Sequence, residues 1–263
     1  VSPSDIIYCE QGQFKIFRQI IHDTHPHGSL TVSDTLAKSS NIGIVKIALK
    51  LEKPALTRYV RAFGFSKKTQ IDLPYEAKGT IDALDKWSKS ALIYVPFGQG
   101  ILVTPVQMLC AMNAIANDGK LMKPYIVKEI LDSKGNMVQK TKAKIEQHVI
   151  TPETARMVTQ MLKNAVSYGT GKKAQVTGYC VAGKTGTAQK AGAGGYSSDK
   201  YVSTFAGFLP ADNPQLSIIV VICEPKEEHR GGHVAAPAFQ AIAEQAIRRF
   251  ELRVTNYELR ISF

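Results

Sequence analysis

The chain has 263 residues, 44% of them hydrophobic, and a formal net charge of +11. That length reaches the upper size of one domain and suffices for a buried core, while no apolar run is long enough to span a bilayer. The charge points to anionic partners, but dispersed lysines and the lack of any nucleic-acid motif argue against nucleic acid.

In chain order, an amphipathic stretch over residues 30–38 meets a second over 42–51, with Ser39-Ser40-Asn41 at the junction. Ser40 or Asn41 is expected to cap the second helix. Pro54 starts a shorter helix that stops at Gly64. Thr104-Pro105-Val106-Gln107 reads as N-cap, first-turn proline and capping-box glutamine of a core helix closed by Gly119. Residues 125–140, with the turn signal Asp132-Ser-Lys-Gly135, predict a surface hairpin. Thr151-Pro152-Glu153 opens a helix that ends near Tyr168, before Gly169-Thr-Gly171. Three strands are expected next, over 176–189, 201–209 and Leu216–Cys223, the last a continuous apolar run suited to a buried central position. The glycine-rich link 191–196 is expected to be a flexible loop. Residues 235–250 predict a helix that covers the sheet.

The chemistry concentrates in Lys184-Thr185-Gly186-Thr187. On an extended strand Thr185 and Thr187 share a face, and Gly186 is expected to leave the backbone between them open to a substrate. Lys184 is long enough to curl around the strand and set its charge beside a nucleophile or an anion, and the Thr187 N–H could face an oxyanion. A glycine-threonine turn with a solvated lysine is the bland alternative. Ser39 offers a hydroxyl for proton relay, and Asn41 an amide to grip a substrate amide. Ser-x-Asn followed by Lys-Thr-Gly is two-thirds of a known serine acyl-enzyme signature, in the same order.

The chain resembles the transpeptidase domain of penicillin-binding proteins, most closely the monofunctional class B type of division and elongation. The resemblance runs through His25-Pro-His-Gly-Ser-Leu-Thr-Val32, Lys38-Ser-Ser-Asn-Ile-Gly43, Phe97-Gly-Gln-Gly100 with Thr104-Pro-Val-Gln107, Gly169-Thr-Gly171, Ala182-Gly-Lys-Thr-Gly-Thr-Ala-Gln189, Phe205-Ala-Gly-Phe-Leu-Pro-Ala-Asp-Asn-Pro214 and Val234-Ala-Ala-Pro237. It implies an α/β (α+β) fold, with an antiparallel sheet flanked by helices and a helical subdomain, here incomplete: the two strands that would pair with Leu216–Cys223 are not in this sequence, so that run is expected to be an uncovered edge. Residues 1–250 would be a partial transpeptidase domain and 251–263 a tail without family match. In such a site Ser39, Asn41, Lys184 and Thr187 would be catalytic. Thr185, Gly186, Thr187 and Asn41 would bind substrate, and half of the oxyanion hole would be the Thr187 N–H.

The resemblance further implies a serine-type D,D-transpeptidase that cross-links peptidoglycan stem peptides through an acyl-enzyme and is acylated by β-lactams, without metal or organic cofactor. Other cell-wall or division proteins would be partners. The expected location is the extracytoplasmic face of the bacterial cytoplasmic membrane, with any anchor in an N-terminal segment absent from this sequence. No serine before Ser39 is followed three positions later by lysine, so the nucleophile segment is missing and the chain alone is expected to be inactive. A catalytically dead interaction domain is the alternative; a penicillin sensor or β-lactamase relative fits the matched segments less well. Gln70 and Tyr75 stand where relatives usually carry glycine, which puts the geometry of that turn in question.

Cys9, Cys110, Cys180 and Cys223 are too widely spaced for a Cys-x-x-Cys site, and Cys110 and Cys223 read as small hydrophobes. His22, His25 and His27, and separately His229 and His233, invite a metal. Pro26 and the pair Gly231-Gly232 are expected to keep a helix from aligning either set.

Overall fold

The computed structural model describes residues 1–81, 91–192 and 195–252, and falls into two compact units. The first comprises Val1–Thr35 and Ser40–Val158, the second Leu36–Ser39 and Thr159–Phe263.

The first unit begins with β1 (Ile6–Tyr8), β2 (Gln13–Ile16), β3 (Gln19–His22) and β4 (Ser29–Thr31), paired as β1–β4 and β2–β3. Then come α1 (Val32–Lys38) and α2 (Asn41–Ala62). Ser40 caps α2, its hydroxyl accepting from Gly43 N at 3.0 Å. The same hydroxyl donates to Asp23 Oδ2 at 2.6 Å, and Asp23 Oδ1 takes the Ile42 N–H at 3.0 Å, so two orphan amides of the first turn are satisfied. α2 is broken at Glu52 (φ 63°, ψ 162°), two residues before Pro54, which accounts for the two separate helical segments read from the sequence.

Short pieces follow: β5 (Thr80–Ile81), α3 (Ala91–Tyr94) and β6 (Ile101–Leu102). The next helix, α4 (Pro105–Ala116), carries the full capping box between Thr104 and Gln107. Gln107 is buried, and its amide also donates to the carbonyls of Lys67 and Lys78, at 2.7 and 3.0 Å. That ties the 67–78 turn to the helix start. Within the turn, Gln70 and Tyr75 both have φ of 59°, so side chains occupy the left-handed conformation that glycine adopts most easily. Glu76 holds it there, accepting from Thr69 N and Oγ1 and from Gln70 N.

Beyond α4 lie β7 (Lys120–Met122), the hairpin β8 (Glu129–Leu131) and β9 (Met137–Lys140), β10 (Ile145–His148) and α5 (Pro152–Ser167), within which the unit boundary falls. The hairpin is exposed, as its turn signal implied. Ala62, Cys110, Ala114, Leu121 and Val149 form a core of this unit. Burial pushes the Cys110 thiol up to about 11, consistent with an inert packing residue.

The second unit contains one antiparallel sheet in the order β11 (Ala182–Gly192), β12 (Gly195–Leu209), β13 (Leu216–Cys223), with α6 (Gly231–Phe250) packed on it. Phe205 of β12 meets Phe239 of α6 with ring centroids 4.6 Å apart, in a core shared with Val166, Leu209, Ala235, Ala236 and Ala243. Helix plus sheet in this arrangement is the expected α+β fold.

Four expectations are corrected in this unit. The strand predicted from Val176 starts at Ala182, because Val176 and Tyr179 close a local bridge around Gly178, whose φ is +80°. The 191–196 link is mostly ladder, with Ala191 opposite Tyr196 and Gly192 opposite Gly195; residues 193–194 lie outside the described residues. Leu216–Cys223 lies at an edge beside β12, as expected for a sheet without the two further strands that the family resemblance implies. Its Cys223 is exposed, so it is not the buried hydrophobe its apolar run suggested. Finally, α6 starts at Gly231, so the glycine pair opens the helix and places His233 inside it. The predicted tail, beyond Leu252, lies outside the described residues.

Candidate functional site

The Lys-Thr-Gly segment lies near the start of β11, where the strand leaves the core: Ala182 and Gly183 are buried, Thr187 is exposed. On this edge the Lys184 ammonium curls back, donating to Ser39 Oγ at 2.6 Å, to the Thr185 carbonyl at 3.1 Å and to Thr185 Oγ1 at 3.2 Å. Three donors on one ammonium meet three acceptors. No carboxylate pairs with it among these partners, and desolvation pushes Lys184 down to about 8. Ser39 is exposed and sits in the left-handed region (φ 59°) just past α1. The left-handed turn there ends α1 and leaves the Ser39 hydroxyl open to Lys184.

Thr185 and Thr187 use their hydroxyls differently. Thr185 Oγ1 lies 2.7 Å from Thr170 Oγ1 as well as within reach of Lys184. Thr187 Oγ1 accepts the N–H of Gly231, the first residue of α6, at 2.9 Å. With that lone pair occupied, the Thr187 hydroxyl keeps its proton and second lone pair for another partner. The positive end of the α6 dipole is therefore directed at this face of the strand.

The glycines here serve close approach. A Cβ on Gly186 would lie 2.4 Å from Thr204 Oγ1 on the neighbouring strand, so the bare Cα gives the Thr204 side chain its room. A Cβ on Gly231 would come within 2.3 Å of the Gly186 carbonyl and 2.5 Å of that of Thr204. The helix start can thus press against β11 and β12 only because it is glycine.

The loop before α6 is fastened at several points. The buried Ser203 hydroxyl donates to the His229 carbonyl, and the His229 ring stacks on Tyr201 with centroids 4.0 Å apart. Glu228 receives hydrogen bonds from the Arg230 guanidinium and backbone and contacts His233 Nδ1 at 2.8 Å, which holds its carboxyl far below the usual range. Both histidines of that pair therefore have non-metal partners. No group of three metal-ligating side chains occurs among the described residues.

Asn41 belongs to the first unit. Its Nδ2 donates to the His22 carbonyl at 2.9 Å, which fixes the amide and leaves its oxygen as an acceptor. Of the residues singled out from sequence, the structure brings Ser39, Lys184 and Thr185 into direct contact and links Thr187 to α6. Thr170 and Gly231 were not singled out as site residues. Both lie in matched or glycine-rich segments, yet their contacts run across 15 and 44 positions and no periodicity announces them.

The sequence matches the penicillin binding protein transpeptidase domain family over residues 1–244. It is 39% identical over 213 residues to the stage V sporulation protein D of Bacillus subtilis, covering 80% of this chain and 33% of that protein. With the penicillin-binding protein PbpB of Mycobacterium tuberculosis it shares 34% identity over 261 residues, 94% of this chain and 38% of the relative. The chain thus spans 33% to 38% of the length of these relatives. Among solved structures, penicillin binding protein 3 of Mycobacterium tuberculosis complexed with ampicillin superposes with a TM-score of 0.88 at 33% identity, covering 98% of this chain and 60% of that one. The apo transpeptidase domain of Burkholderia pseudomallei penicillin-binding protein 3 gives 0.86 at 31% identity, covering 98% and 76%. With the match extending over nearly its whole length and the fold agreeing, the chain belongs to the family of penicillin-binding-protein transpeptidase domains.

Proposed function

We propose that this domain is the acyl-transfer module of a peptidoglycan D,D-transpeptidase, which is acylated by the D-Ala-D-Ala end of a stem peptide and passes the acyl group to an amine of a neighbouring strand. The observation that carries the reading is the 2.6 Å contact between Lys184 Nζ and Ser39 Oγ, beside the two threonine hydroxyls of the same strand. A lysine near 8 exchanges its proton at working pH, so the Ser39–Lys184 pair can take a proton from an attacking hydroxyl and return it to a leaving nitrogen. Thr185 and Thr187 bind the terminal carboxylate, and the Thr187 N–H donates to the oxyanion of the tetrahedral intermediate. Asn41 orients the substrate amide through its free oxygen.

The acylated serine and its activating lysine, in this reading, come from sequence outside these 263 residues, so this chain alone is not acylated. β-Lactams are ligands because they present the same carboxylate and a strained amide; the relatives' ampicillin and aztreonam complexes support that choice. Other wall or division proteins are the natural partners, and the site of action is the extracytoplasmic face of the membrane. The test is covalent labelling of the full-length protein by a fluorescent penicillin, with the adduct located by mass spectrometry. Labelling on a serine outside this chain is expected. An adduct on a residue of this chain, or no adduct on the full-length protein, would refute the assignment.

A further inference from the structure

Resting on the carboxylate-binding reading of Thr185, we propose that Thr170 is a positioning residue that aims the Thr185 hydroxyl at the substrate carboxylate. A threonine hydroxyl has one proton and two lone pairs. At Thr185, one lone pair faces Lys184 Nζ at 3.2 Å, and Thr170 Oγ1 lies 2.7 Å away. When Thr170 donates, both lone pairs of Thr185 are filled and its proton has no partner among the described residues. The proton then points outward, where an incoming anion is the best acceptor. A chain of donors, Thr170 to Thr185 to ligand, also polarises the last link.

Thr170 can do this only if it is held, and its backbone is clamped from two sides. Its N–H donates to the Ala37 carbonyl in the last turn of α1 at 3.0 Å. A Cβ on the preceding Gly169 would lie 2.2 Å from that same carbonyl, and one on Gly232 would lie 2.3 Å from the Thr170 carbonyl. The 169–171 turn therefore sits against the end of α1, two residues from Ser39, and against the first turn of α6, which binds Thr187. One residue registers the three pieces that present Ser39, Thr185 and Thr187, and its exposed hydroxyl is the part that acts on ligand orientation.

The variants are Thr170→Val, which keeps the shape and removes the hydroxyl, and Thr170→Ser, which keeps the hydroxyl. On the full-length protein, the second-order rate of acylation by ampicillin is compared with that by its carboxylate ester. Thr170→Val should slow ampicillin about fivefold to tenfold, the effect of one hydrogen bond, and leave the ester within about twofold; Thr170→Ser should restore the ampicillin rate. Equal losses on acid and ester would mean that Thr170 merely supports the fold, and no loss on either would mean that it does nothing; both overturn the inference. On the full-length protein, noncovalent binding of D-alanyl-D-alanine, followed by the amide NMR shifts of β11, should weaken by a similar factor in Thr170→Val. Binding by the wild-type protein with no weakening in the variant sinks the role of Thr170 while sparing the carboxylate reading. Absence of binding by the wild-type protein removes both.

Discussion

Among the described residues, strands β11 and β13 are the two edges of one sheet, hydrogen-bonded to the same central strand, yet β11 carries a cluster of engaged polar side chains and β13 an apolar run. On β11 the side chains of Lys184, Thr185 and Thr187 are engaged by groups from other elements: Ser39, Thr170 and the start of α6. On β13 the run Leu-Ser-Ile-Ile-Val-Val-Ile-Cys makes no such polar side-chain contacts among the described residues. Ile218, Val220 and Ile222 pack into the core under α6, which leaves Ile219, Val221 and Cys223 on the opposite face, Val221 and Cys223 exposed. An edge backbone is the same template in both places. What differs is the side chains beside it, polar on β11 and apolar on β13.

Removing the chemistry from β11 gives the largest expected change. In the full-length protein Lys184→Ala should slow β-lactam acylation by about 10²–10⁴, the usual worth of a positioned proton-transfer group. Thr185→Val should act less, by tens to about a hundredfold and mainly on binding, since a donor to an ionised group is worth about 1.5–3 kcal/mol. Stopped-flow acylation separates the two terms. Near-normal acylation in Lys184→Ala would show that the polar edge is decoration.

The apolar edge is tested by association. Purified alone, the 263-residue chain should dimerise or aggregate through β13, and Ile219→Lys should reduce this, because its side chain lies on the face away from the α6 core and a charge there opposes strand pairing without opening that core. Sedimentation velocity is the measurement. A monomer whose Leu216–Cys223 amides are protected from exchange would mean that the edge is already covered.

The smallest effect sharpens the electrostatics of β11. Lys184 titrates near 8 in the fold and near the ordinary lysine value of 10.5 when unfolded. Between these values the unfolded chain binds more protons, so stability rises with pH across that window and is flat below it. The urea midpoint of the chain should therefore gain, from pH 7.5 to 9.5, relative to Lys184→Met. A parallel response in both proteins would place the desolvation elsewhere.

Much of this molecule is set by its sequence alone. The capping box of Thr104 and Gln107, the Ser40 cap, the break near Pro54 and the Asp132–Gly135 turn depend on residues within a few positions of one another, so local hydrogen bonding fixes them wherever the segment lies. The Lys-Thr-Gly strand and the length that lets Lys184 curl around it follow from strand geometry and side-chain length, whereas the Ser39 hydroxyl it meets lies 145 positions away and is brought there by folding. Tertiary structure decided what depends on close contact between distant segments. Gly231-Gly232 looks like a helix breaker in isolation, but it opens α6 because only bare Cα atoms fit against the carbonyls of Gly186, Thr204 and Thr170. Thr170 is one threonine among many until folding brings it 2.7 Å from Thr185, and such a contact is set by packing between elements, which no periodicity encodes.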